Sequence, residues 1–126
     1  DFSLLAKDAA FLDRLGFEWD TMEDGRRWVV VRNYPLPSGY QVQRCSLAVD
    51  IPAGYPTSEI DMFYCDPPLR LSAGNEPACA DARQRIEGRD YQRWSRHRDP
   101  GTWSADDCVG THFGLVDLAI SGEVGQ

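Results

Sequence analysis

Ser95, Arg96 and His97 follow one another directly, with Arg93 and Arg98 on either side. A hydroxyl with an imidazole two positions on can act as nucleophile and base, and the arginines can balance the charge of a tetrahedral oxyanion, so the group suggests acyl transfer. The same residues also read as an ordered loop in which Ser95 bonds backbone and the arginines pair with Asp90 and Asp99, because a triad is defined by geometry and not by spacing. Cys79, between Pro77 and Asp81, is the thiol alternative: a loop cysteine that nearby arginine or His97 would activate by lowering its pKa.

The other cysteines carry weaker cases. Cys65 closes an expected strand, opposite in phase to Ile60, Met62 and Tyr64, where it either approaches an active-site groove or packs beneath a loop. Cys45 shares the period-two face of Leu47, Val49 and Ile51, a core position. Cys108 and His112 stand one helical turn apart, but two ligands do not make a metal site, and helix packing accounts for both. No C-x-x-C pair occurs among the four cysteines, which read as free thiols. Asp106-Asp107 fits the acidic first turn of a helix better than paired acid–base work. No glycine-rich phosphate cradle, G-x-S-x-G elbow or H-E-x-x-H helix is present, so no cofactor or metal is expected and any nucleotide activation happens on another protein.

These residues need a scaffold, and 126 residues supply one domain with a real core. Periodicity predicts an amphipathic helix over 3–15, capped by Ser3 or Asp1 and stopped at Gly16. Phe17 and Trp19 alternate with acids, Glu23-Asp24-Gly25 turns, and an apolar strand runs from Arg27 to Arg32, which makes a hairpin. Tyr34 to Gly39 is expected to be a loop because of its two prolines and its glycine. A third strand carries Cys45, Leu47, Val49 and Ile51, and a fourth runs from Ile60 to Cys65. From Arg70 to Thr102 periodicity lapses and charge crowds, which predicts a long irregular segment pinned by Trp94 and Trp103. Val109, Phe113, Val116 and Ile120 predict a second helix, capped by Ser104 and ended by Gly122. The whole is α+β: a helix, a four-stranded antiparallel meander, a long active-site loop, and a helix packing back.

Twenty acidic against thirteen basic residues give a net charge of −7, which disfavours nucleic acid and anionic lipid as partners. The longest apolar run, Trp28 to Val31, is far too short to span a bilayer, and the expected location is the cytoplasm. Lys7 is the single lysine and thus one obvious site of self-modification.

Gly54-Tyr55-Pro56 before the fourth strand, Asp66-Pro67-Pro68 after it, and Trp103-Ser104 opening the last helix resemble the ubiquitin-conjugating-enzyme fold. More specifically, AGYPTSEIDMFYCDPPL at 53–69 with QRWSRH at 92–97 resembles the prokaryotic family-E conjugating-enzyme-like proteins. The resemblance implies work in bacterial operons with a ubiquitin-like protein, an activating enzyme and a JAB-type peptidase. It also implies that the first helix and neighbouring loops, with Phe2, Leu5, Phe11, Tyr34, Leu36 and Tyr40, are interface candidates. In such enzymes the nucleophilic cysteine lies eight residues before the tryptophan of the Trp-Ser pair. Here Ser95 occupies that position, and an intermediate on it would be an oxyester. Two functions remain open: an enzyme that accepts a ubiquitin-like protein and passes it to an amine, or a silent scaffold that holds the ubiquitin-like protein or its activating enzyme. A free-standing hydrolase rests on Ser95 and His97 alone.

Overall fold

Val29, Val31, Leu47 and Val49 alternate toward one side of a sheet, while Trp28, Val30 and Ala48 alternate toward the other, and all seven are shut from solvent. A strand buried on both faces reads as a continuous apolar run, and that is why Trp28 to Val31 has no polar interruption. In the computed structural model, which describes residues 2–124, the elements are α1 (Ala6–Arg14), β1 (Glu18–Asp24), β2 (Arg26–Pro35), β3 (Arg44–Asp50), β4 (Phe63–Asp66), β5 (Ala82–Ile86), β6 (Arg89–Trp94) and α2 (Val109–Val124). The six strands form one antiparallel sheet in the order β1-β2-β3-β4-β6-β5.

The expected meander of four strands is therefore a sheet of six. The added hairpin, β5–β6, lies inside the segment predicted to be irregular. Its turn, Glu87-Gly88, holds both residues at positive φ (46° and 77°), the two-residue hairpin geometry usually signalled by Asn-Gly or Asp-Gly. Charged residues fill the outward positions of edge strand β5, as edges require, and they mask its alternation.

Other boundaries shift for identifiable reasons. Tyr34 and Pro35 belong to β2, past a bulge marked by the register break after Val31 and by Asn33 at φ 53°, and are not loop. β4 begins at Phe63 instead of Ile60, because Met62 has φ 58° and breaks the pleat. α1 starts at Ala6 with Leu5 at its N-cap and no side-chain cap, so Ser3 does not cap it; Asp1, the alternative, lies outside the described residues. Gly16 ends it at φ 76°, as expected. In α2, Gly122 is internal and Ser104 is not the cap; Ser104 and Asp107 bond each other in a separate turn.

Both helices cover one face of the sheet. Leu12 of α1 and Val109, Phe113, Val116 and Ile120 of α2 meet Val29, Val31, Leu47, Val49, Phe63 and Trp94 in the main core. The opposite face is closed by the sheet's own curl, which brings the first and last hairpins together over Trp28, Tyr64, Ile86 and Tyr91. Arg32 bonds Glu87 through both oxygens, at 2.7 and 3.1 Å, and also Asp20, while the Glu87 N–H donates to Asp24. The guanidinium holds the Glu87 carboxyl below its usual range.

The start of α2 is fastened from outside the helix. The Val109 N–H donates to Asp8 Oδ1 at 3.3 Å and to the Tyr55 hydroxyl at 3.0 Å, and that hydroxyl donates to Asp8 Oδ2 at 2.6 Å. Asp8 is only 1% exposed, and the positive end of α2 is the natural counterpart of its carboxylate. Truncating Asp8 strands both donors. Asp8→Ala is expected to lower stability by about 3 kcal/mol and Tyr55→Phe, which removes one donor, by about 1 kcal/mol, read as shifts of the urea midpoint.

Candidate functional site

β6 delivers its last residues into a seam between two loops. The Ser95 N–H donates to the Cys79 carbonyl at 3.0 Å, and the Arg96 carbonyl accepts from the Met62 N–H at 3.2 Å. The backbone at 95–96 is thus pinned on both sides. Gln92, buried under this seam, uses its amide to bond both the N–H and the carbonyl of Leu69 (2.8 and 3.1 Å) and accepts from the Trp94 indole. Those bonds anchor the chain after Asp66-Pro67-Pro68, and Cys79 follows on that anchored chain.

Cys79 is exposed and sits at φ 52°, a left-handed conformation that costs energy in a non-glycine residue. Arg96 holds the loop that carries it: one guanidinium nitrogen donates to the Ala78 carbonyl at 2.8 Å, the other pairs with Glu123 of α2 at 3.2 Å, and the group lies over the Trp94 ring. Glu123 also accepts from the Ala78 N–H at 3.0 Å. Of the residues singled out in the sequence, Cys79, Ser95 and Arg96 are therefore brought together, with Arg96 serving to position the loop.

His97 turns elsewhere. Its Nδ1 lies 2.8 Å from Asp61 Oδ1, in the bend before β4, so the imidazole is oriented by a carboxylate and not by Ser95. Beyond it, segment 96–102 faces α2 across an open cleft of about 540 Å³, floored by Thr111, Leu115, Leu118 and Ala119. Leu118 is 77% exposed there. Arg98 lines the same cleft, stacked on Trp103, and its Nε and Nη2 reach no acceptor among the described residues.

A protein-family model for prokaryotic E2 family E matches residues 4–123. The chain belongs to that family. No curated protein and no solved structure matches it. The N-terminal helix, antiparallel sheet and C-terminal helix fit an E2-like fold, with six strands in place of four. Family E's Tyr-Pro turn has a structural task in this chain: Tyr55 reaches Asp8 and α2, while the Pro56 carbonyl accepts from the Trp103 indole at 2.9 Å.

The remaining family E candidates resolve by burial. Cys65 does not approach the groove; it is fully buried beside Cys45 in the main core, and burial pushes its thiol well above the usual range. Cys108 precedes the first residue of α2, with its N–H donating to Thr111 Oγ1. Among the described residues no cluster of His, Cys, Asp or Glu could hold a metal ion, and no helix is long and apolar enough to cross a membrane. Tyr34 and Tyr40 bond Asp117 and the Ile120 carbonyl inside the fold, and Phe11 packs on Phe113, whereas Leu5 stays exposed.

Asp61, Gln92 and Glu123 carried no signal beyond their residue types, since their partners lie far away in sequence. His112 is packed as the sequence suggests, 1% exposed, with Nε2 donating to the Met62 carbonyl at 2.7 Å. Burial drives its pKa down to about 4, so it is neutral at physiological pH. An unfolded histidine, near 6.5, binds a proton first as pH falls, so the stabilisation is complete above about pH 6.5 and is lost toward pH 4. Between pH 7.5 and 5, urea unfolding should show a loss of about 2 kcal/mol that is absent from His112→Gln.

Proposed function

We propose that this protein receives a ubiquitin-like protein from an activating enzyme as a thioester on Cys79 and passes it to an amine. The observation that carries this reading is the main-chain bond between Cys79 and Ser95. Ser95 stands where the conjugating-enzyme spacing asks for a cysteine, and the β5–β6 hairpin brings an exposed thiol from another loop beside that position. A thiol forms acyl intermediates far more readily than an unactivated hydroxyl. The loop is held by Arg96, Glu123 and Gln92, so the thiol is presented on a fixed support although it lies outside regular structure.

The cleft beside it offers an apolar floor and cationic walls, suited to a flexible acyl-bearing tail. Leu5 and Leu15, exposed at the two ends of α1, are the matching candidates for contact with the activating enzyme. The scaffold reading has one observation in its favour, the serine at the family's nucleophile spacing.

Intact-mass measurement after incubation with ATP, a cognate activating enzyme and its ubiquitin-like protein separates these cases. The wild type and Ser95→Ala are expected to carry an adduct released by thiol reductant, and Cys79→Ala none. An adduct that survives reductant but not mild base, and disappears in Ser95→Ala, overturns Cys79 in favour of an oxyester. Charging of the activating enzyme with no adduct on this protein overturns the transfer reading in favour of the scaffold.

A further inference from the structure

His97 and Asp61 lie 36 positions apart in sequence yet form a pair at the mouth of the cleft. A carboxylate can only accept, so Nδ1 carries the hydrogen in the neutral ring and Nε2 is left with its lone pair. The other edge of the imidazole borders the cleft, and its side chain is 58% exposed. Ser95 is two residues upstream, a span of about 7 Å in extended chain, and its N–H is bonded to the Cys79 carbonyl, so a base at His97 stands within reach of an acyl group held on the Cys79 sulfur. Arg98, next in sequence, brings two buried donors without an acceptor to the same cleft. A buried donor without a partner costs free energy, and an incoming carbonyl oxygen would relieve it.

Resting on the thioester reading above, we propose that this cleft is an aminolysis site, in which His97 oriented by Asp61 takes the proton of an incoming primary amine while Arg98 holds the acyl oxygen. The amine nitrogen attacks the thioester carbon, forming the C–N bond. His97 Nε2 accepts the proton that the nitrogen releases. The C–S bond breaks, the thiolate leaves on Cys79, and the imidazolium returns its proton to it. The products are an amide and a free thiol, and no further reactant is needed. Asp61 touches no reacting atom and acts as a positioning residue that fixes the tautomer and favours the imidazolium formed during the reaction. Glutamine at 97 can keep a hydrogen bond to Asp61 but cannot take a proton.

The test is single-turnover discharge of the purified, pre-charged protein to free lysine across pH 5.5–9, with activation stopped, followed by intact mass. Wild type is expected to discharge faster as pH rises through the titration of His97. In His97→Gln the rate at pH 7.5 falls about 100-fold and the histidine inflection is lost. In Asp61→Asn the inflection moves to lower pH, because a neutral partner stabilises the imidazolium less, and the maximal rate falls. Arg98→Ala slows discharge at every pH without moving the inflection. A purely structural pair would leave the pH profile in place. Discharge by His97→Gln with the wild-type rate and profile overturns this inference alone, as does a His97→Gln protein that never acquires the thioester, which would place the residue in loading. A wild type that forms no thioester overturns both this inference and the transfer reading.

Discussion

A buried carboxylate organises this molecule. Asp8 could not remain ionised in the interior without partners, and the partners available are the first turn of α2 and the hydroxyl of Tyr55. Meeting its needs brings α1, the Tyr-Pro turn and α2 to one point, so the direction in which α2 crosses the sheet is set at its first residue. Two further bonds use that direction. His112, one turn on, holds the Met62 carbonyl, and Glu123, near the far end, holds the loop of Cys79 through Ala78 and Arg96. The bend that carries Asp61 and the loop that carries Cys79 are thus both referred to the same helix. A rotation of α2 would disturb the cleft floor and both of its flanks.

The curl of the sheet sets where a partner can approach. Once Arg32 and Glu87 close the first hairpin against the last, the face bearing Trp28 and Tyr91 becomes interior and is lost as a binding surface. The large apolar side chains left exposed among the described residues are Leu5, Leu15, Leu118 and Val124, all on or adjoining the two helices. Recognition is confined to the helical side, where the cleft also opens. The Arg32–Glu87 pair is only partly exposed and bidentate, a geometry that holds better than the typical surface ion pair.

What could be read beforehand follows from the range of each interaction. β1 to β3 and the core part of α2 were legible because periodicity is local, and the apolar face of each repeats within a few residues. β5 and β6 were not, because an edge hairpin of arginines, glutamine and aspartate looks like a charged loop until one notices that Ala82, Gln84 and Ile86 alternate with Arg83 and Arg85. The same omission hid the site. Cys79 and Ser95 could each be suspected, yet their contact is made by the very hairpin that went unread. The cap of α2 escaped for a related reason: Ser104 looked adequate locally, while the group that meets the Val109 N–H is 101 positions away. Resemblance supplied the helix–sheet–helix frame, and it had no means of predicting an added pair of strands.

The choice of cations around the cleft bears on what chemistry it can tolerate. Every basic side chain that lines it is arginine or histidine, and the single lysine of the chain, Lys7, is on α1. A guanidinium keeps its proton at any physiological pH and is a poor nucleophile, whereas a lysine amine whose pKa falls on desolvation becomes a good one. An acyl group held at Cys79 would therefore meet positive charge able to bind its oxygen, but no neighbouring amine able to take it. Arginine at 96 and 98 gives the electrostatic benefit of a cation without an internal competitor for the acyl group. A Lys substitution at either position would keep the charge while adding that competitor, and by this reasoning the two cations are not interchangeable here.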